Sequence, residues 1–314
     1  MRLNTQGNLF TRRYRRQALK SCTRKYAGAK YGRKQHLDQM NTQNNTLHPK
    51  VSVLMSVYNG EDHVLEAVDS VLRQTFTDFE FIIVDDGSTD KSAEIIKSFT
   101  DKRIRLVHNE NNIGLTRSLN KGLELATGEY IARMDADDIS LPHRLKTQTN
   151  FMDTHPETGI CGSWIKTLGL SSDDVWKYPT DHSTLKCSLL FAPPLAHPSI
   201  MMRRVVLVSN NLQYSTQYSY AQDYEFWVRS SRYTCLSNIG EVLLLLRQHP
   251  KKIGNTRNED QLSAASTVRE SQIRELGITP SSDELSLHNM ISTWNIEQSS
   301  SFLQKTDVWL TRLR

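Results

Sequence analysis

From Val51 onward, short apolar runs alternate with stretches whose apolar residues recur at helical spacing. Residues 51–57 (VSVLMSV) form a nearly continuous apolar run, the pattern of a strand covered on both faces. Tyr58-Asn59-Gly60 breaks it, and Val64, Leu65, Val68, Val71 and Leu72 then follow a helical period. Residues 79–84 (FEFIIV) predict a second buried strand, ending in Asp85-Asp86-Gly87-Ser88-Thr89-Asp90. Ser, Thr and Asp there are good N-caps for a helix through Ile95, Ile96 and Phe99. A third strand is expected at 104–107. A helix through Leu115, Leu119, Leu123 and Ala126 follows, with Gly128 expected to stop it. A fourth strand at 130–134 leads into Asp135-Ala136-Asp137-Asp138.

Strand–helix alternation of this kind predicts an α/β fold, a mostly parallel, doubly wound sheet with helices on both faces. In such sheets ligands sit just beyond the carboxyl ends of the strands. That rule selects residues 56–59, 85–88 and 135–138. Two of these are clusters of carboxylates at neighbouring strand ends, and a cation among them would relieve their repulsion. Hard divalent ions take oxygen ligands, and Mg²⁺ commonly combines one or two carboxylates with substrate phosphates. Neither GxGxxG nor GxxxxGK[ST] occurs, which removes the main support for nicotinamide dehydrogenases and P-loop NTPases. Past residue 250, Leu262, Ala265, Val268, Ile273 and Leu276 predict an amphipathic helix. One or two more are expected after Pro280, with Ser299-Ser300-Ser301 as a flexible break.

Composition changes the picture at one end only. The 314 residues carry a formal charge of +5, yet residues 1–50 hold 12 Lys or Arg against one acid, Asp38. The remainder holds 27 basic and 33 acidic side chains, so a mildly acidic body follows a basic leader. The leader has no apolar stretch resembling a secretory signal and is expected to be disordered. Its charge suits an anionic membrane surface, whereas its few aromatics in no stacking pattern make nucleic acid a poor partner. No apolar run approaches the roughly 20 residues of a spanning helix. Four separated cysteines indicate neither a zinc knuckle nor a disulfide framework, in keeping with a cytoplasmic setting.

The motifs VSVLMSVYNG (51–60), VDDGSTD (84–90), NIGLTRSLNKGLELATGEYIARMDADD (112–138) and LPHRL (141–145) resemble, in order and spacing, glycosyltransferase family 2. So do THPETGICGS (154–163), AHPSIMMRR (196–204), AQDYEFWVR (221–229) and LRQH (246–249). The resemblance implies a GT-A fold over residues 51–250, with 251–314 as a helical extension. It is nearest to bacterial enzymes that build surface polysaccharides such as O-antigen or capsule. It implies a metal-dependent, inverting transfer from a nucleotide-diphosphate donor, expected to be a UDP-sugar, to a saccharide or lipid-linked acceptor. The protein would then work in the cytoplasm, peripherally on the inner face of the membrane.

Position by position, the family pattern implies that Asp86 holds the nucleotide base and that Ser56 and Tyr58 line the nucleoside pocket. Asp135 and Asp137 match the DxD acids, with Asp137 a ligand of Mn²⁺ or Mg²⁺ and Asp135 near ribose and metal. Asp223 matches the catalytic base, although Gln222 stands where the family usually has Glu. His197, Arg247 and His249 are candidate diphosphate or acceptor contacts. The chemistry agrees: an attacking hydroxyl needs a carboxylate opposite the leaving group, and the leaving diphosphate needs positive charge. On residue type alone, Asp223 also suits a helix N-cap, Arg133 and Arg117 read as solvated or locally paired, and Asn120 reads as a loop anchor. Two rival functions are a sugar-phosphate nucleotidylyltransferase, whose glycine-rich signature is missing, and a non-catalytic saccharide- or nucleotide-binding relative.

Overall fold

The computed structural model describes residues 48–169, 174–249, 258–297 and 299–313. The leader expectations for residues 1–47 lie outside the described residues. Its final residue, Lys50, is part of the fold, bonded to Glu129 at 2.7 Å and to Asp153 at 2.9 Å.

Strands β1 (Val51–Val57), β2 (Phe79–Asp85), β3 (Ile104–His108) and β4 (Tyr130–Asp135) form the parallel half of one sheet, in the order β3-β2-β1-β4. The second half continues through β8 (Met201–Arg203), β6 (Thr158–Leu168), β9 (Cys235–Arg247) and β5 (Ile139–Ser140), with β7 (Val175–Trp176) on β6. β8 runs antiparallel to both β4 and β6, so the sheet is mixed, although its longest ladders are parallel. The short β8 and the long β6 and β9 escape the periodicity argument. β9 in particular alternates buried and half-exposed residues instead of forming one apolar block.

One sheet face packs α1 (Val64–Leu72), α2 (Ser92–Lys97) and α4 (Arg144–Thr154) through Val64, Val68, Ile96, Leu145 and Met152. The other face packs α3 (Leu115–Leu125), α5 (His182–Leu189), α6 (Arg204–Ser209) and α7 (Gln222–Ser230) through Leu119, Leu185, Leu207 and Trp227. Helices on both faces account for the continuous burial of β1 and β4. Three further helices follow: α8 (Asn258–Glu275), α9 (Ser282–Ser292) and α10 (Ser300–Arg312). Val268 of α8 joins the second core, while Ile273, Trp309 and Leu313 make a small core of their own against Phe191. Among the described residues no helix is long and apolar enough to cross a membrane.

Two local expectations change. Ser299 is no break: its hydroxyl accepts the Phe302 N–H at 3.1 Å and caps α10. Gly128 does not cap α3, which ends at an extended Ala126. Its glycine identity comes from crowding, because a Cβ there would lie 2.5 Å from the Ser52 backbone nitrogen on β1. Gly128→Ala is therefore expected to destabilise the fold by about 1–3 kcal/mol, the usual range for overpacking, as read from chemical denaturation midpoints.

Candidate active site

The ends of β1, β2 and β4 converge because these strands are neighbours in register: Ser56 lies opposite Val84 on one side and Asp135 on the other. Past β1, Asn59 accepts the Thr89 N–H at 2.8 Å, and Ser88 accepts the Asn59 N–H at 3.1 Å. The two strand-end loops are thus tied together. Tyr58, directly after β1, stands half exposed.

The two acids after β2 have different duties. Asp85 is fully buried and accepts the Ser88 N–H, with His108 Nδ1 at 2.8 Å from its other oxygen. Asp86 gathers the loop after β3, accepting Asn109 Nδ2 and the N–H groups of Ile113 and Gly114, each at 2.9 Å. Gly114 has φ +89°, a conformation only glycine adopts without strain, and it aims that N–H at Asp86.

Asp135, Asp137 and Asp138 offer carboxylate oxygens within 4.8 Å of one another. Basic groups meet them from β4 and from the end of β9. Arg133 Nη2 donates to Asp135, His249 Nε2 lies 2.9 Å from Asp137 Oδ2, and the Arg247 N–H donates to Asp138 at 2.9 Å. Arg247 also donates from Nε to the Asp137 carbonyl and from its guanidinium to Glu66 on α1. About 110 residues separate these partners in sequence, and one ladder joins them: β5, directly after the acids, pairs with β9 at Ile139–Leu245 and Ser140–Leu244. The His63 ring, 5.2 Å from that of His249, completes this side, and burial lowers its pKa.

Asp223 stands in the first turn of α7 behind the N-cap Ala221, so it is not the cap itself. Its carboxylate accepts the Tyr224 N–H at 2.8 Å. Desolvation pushes its pKa above the ordinary aspartate value, with a further upward push from Asp135 and an opposing pull from Arg133. The charges of Arg133 and Asp135 therefore reach Asp223, which brings the start of α7 near the end of β4. The wall beside it is aromatic. His197 Nε2 lies 2.8 Å from the Tyr214 hydroxyl, and the His197 ring meets Trp227 edge-on at 5.8 Å. Burial drives the His197 pKa well below its usual value, so the ring is neutral and braces Tyr214. Asn120 is an anchor as expected, and its partner is this wall: its amide bonds both the carbonyl and the N–H of Tyr214, at 2.8 and 2.9 Å.

Arg133 is locally paired, with Asp135, which was one half of the expectation. It is not solvated but 2% exposed, and its charge acts on His197 and Tyr214. Its spacing two residues before Asp135 on one strand was the available signal, since such residues share a face.

A raised carboxyl pKa has a stability consequence. Because the folded state disfavours the ionised form, Asp223 supports the fold at acid pH and loses that contribution as pH rises through its folded pKa. Asp223→Asn should therefore be more heat-stable than the parent at neutral pH, with the advantage vanishing in acid. Paired melts across pH 4–8 check this.

The model for the family described as "Glycosyl transferase family 2" matches residues 52–210. The chain belongs to that family. An uncharacterized glycosyltransferase of Haemophilus influenzae is 32% identical over 237 residues, covering 72% of this chain and 73% of that one. This family 2 chain is also 29% identical over 222 residues to the amylovoran biosynthesis glycosyltransferase AmsE of Erwinia amylovora, covering 66% and 79% respectively. Among solved structures, S. aureus TarS 1–349 in complex with UDP-GlcNAc aligns with a TM-score of 0.61 at 19% identity, over 83% of this chain and 78% of that one. A Pyrobaculum calidifontis mannosyltransferase with GDP-Man and Mn²⁺ aligns at 0.58 and 16% identity, over 97% and 85%. At these identities the structures speak for the fold, which is the GT-A-like one. As a family 2 member the protein is a glycosyltransferase.

Proposed function

We propose that this enzyme transfers a hexose, with inversion, from a nucleotide diphosphate, expected to be UDP, to a saccharide or lipid-linked saccharide in surface-polysaccharide assembly. The observation that carries the proposal is the cluster of acids after β4, with the carboxylate of Asp223 near enough for Asp135 to act on it. TarS bound to UDP-GlcNAc, the mannosyltransferase bound to GDP-Man and the name of AmsE support donor and product class.

Ser56 and Tyr58 line the nucleoside side. The carboxylate of Asp86 has about four acceptor directions, of which three are taken, leaving Oδ2 able to accept an imide N–H such as that of uracil. Oxygen donors beside an imidazole fit Mn²⁺ or Mg²⁺. Asp135 and Asp137 would hold the ion, with His249 beside them. Its charge would favour departure of the diphosphate. Arg247 adds positive charge at the same edge, and His197 shapes the acceptor side through Tyr214. Asp223 accepts the proton of the acceptor hydroxyl as that oxygen bonds to the anomeric carbon and the bond from that carbon to the diphosphate oxygen breaks. Residues 51–250 form the transferase unit, and 251–314 extend it.

A panel of UDP-, GDP- and dTDP-sugars, scored by nucleotide release with Mn²⁺ or Mg²⁺ and a saccharide acceptor, tests the proposal. Release from no donor would overturn it in favour of a binding protein. The leader, with its excess of 11 positive charges, is expected to dock on anionic lipid at about 1 kcal/mol per basic residue near the surface. Removing residues 1–45 should leave transfer to a soluble acceptor unchanged and weaken sedimentation with phosphatidylserine vesicles. Equal sedimentation would count against docking.

A further inference from the structure

Arg133 is buried with an imbalance in its hydrogen bonding. Its guanidinium is 2% exposed, and Nη2 alone is engaged, on Asp135. Nε and Nη1 are shielded from water and have no acceptor among the described residues. Buried donors in native proteins are almost always paired, and a charged donor is the costliest to leave bare, so such an exception marks a place where a partner arrives. The root of the side chain is held rigidly: its N–H donates to the Ile200 carbonyl at 3.0 Å, and its own carbonyl accepts Arg144 Nη2 at 2.6 Å. The wall groups do not compete for it, because His197 and Tyr214 are paired with each other.

We propose that Arg133 reads the transferred sugar, donating from Nε and Nη1 to hydroxyl oxygens on the hexose ring. The inference rests on the transferase reading and deepens it. In an inverting transfer the anomeric carbon lies between the departing phosphate and the incoming hydroxyl, so the ring spans the space from the metal-side acids to the base. Arg133 bears on both ends of that interval: it bonds Asp135, and its charge acts on Asp223, His197 and Tyr214. A neutral polyol suits it better than a second anion, because Asp135 already balances its charge. A site built around buried donors rejects a ligand that lacks the matching oxygen, because the donors are then left bare again.

The test uses the full chain, Mn²⁺, UDP, the UDP-sugar selected by the donor panel and its mono-deoxy analogues, with binding read by calorimetry. The parent protein should bind at least one deoxy donor about tenfold or more weakly than the complete sugar. In Arg133→Met that penalty should disappear, and affinity for the UDP-sugar should fall further than any fall in affinity for UDP itself. Arg133→Lys, which keeps the charge, should retain part of the penalty. Equal weakening of UDP and UDP-sugar would mean that Arg133 acts only through Asp135, and the proposal would fail. It would also fail if the penalty survived in the variants, or if the parent accepted every deoxy donor equally. Should Arg133→Met not fold, the parent's deoxy series and Arg133→Lys decide the matter. If the parent binds no nucleotide sugar at all, the transferase reading falls and this inference with it. Where it binds and turns over donor, a negative result strikes Arg133 alone.

Discussion

Asp223→Asn will keep nucleotide affinity and lose transfer by about 10²–10⁴-fold, the usual contribution of a positioned general base. The amide keeps the shape of the carboxylate and can still accept the Tyr224 N–H, so α7 has no reason to move. It cannot take the proton from the acceptor hydroxyl. Burial raises the Asp223 pKa, so the acid limb of the parent's pH–rate profile should lie above the ordinary aspartate range, with the rate falling as pH drops through it. Nucleotide binding by calorimetry, together with nucleotide release in the presence of acceptor, separates the two properties. Turnover retained by the Asn variant would remove the base assignment, and a joint loss of binding and transfer would make Asp223 a scaffold residue.

Asp137→Ala should lower nucleotide affinity in Mn²⁺ by at least about tenfold and reduce transfer further. The carboxylate lies in the acid cluster opposite His249 Nε2 at 2.9 Å, at the edge where the β5–β9 ladder joins the two segments. Removing it takes away an oxygen donor and leaves the imidazole without its carboxylate partner, a change that typically weakens metal sites by at least 10–100-fold. The deciding measurement is UDP affinity with Mn²⁺ and with a chelator. The parent should bind more weakly once the metal is removed, whereas the variant should give the same weak affinity in both. A variant that still responds to Mn²⁺ would place the ion elsewhere.

Much of this site could be read before any coordinates. The apolar runs at 51–57 and 79–84 and the acids that follow them name strands and strand ends, because a strand covered on both faces must be apolar throughout and must stop where polar residues begin. Asp86 falls at the end of the second of these runs, and Asp135–Asp138 at the end of the run at 130–134. Arg133 could not be judged in this way. An arginine on a strand next to acids usually reaches solvent, and only tertiary packing buries this one to 2% exposure. Gly128 was noticed for the wrong reason, since its Cβ would collide with a strand 76 residues away rather than spoil a helix end.

Local pattern and motif order established the alternating half of the sheet, the acid clusters and the candidacy of Asp223. The sheet and the acid clusters depend on neighbours in the chain, whose periodicity follows directly from backbone geometry, whereas the candidacy of Asp223 rests on the family resemblance. The meeting of Asp223 with Asp135, the seating of Arg247 and His249 beside Asp137 and Asp138, and the burial of Arg133 came from folding. They depend on β8 inserting antiparallel beside β4 and on β9 returning to β5. Pairings between such distant segments arise from how the packed layers fill space, and no stretch of residues encodes them locally.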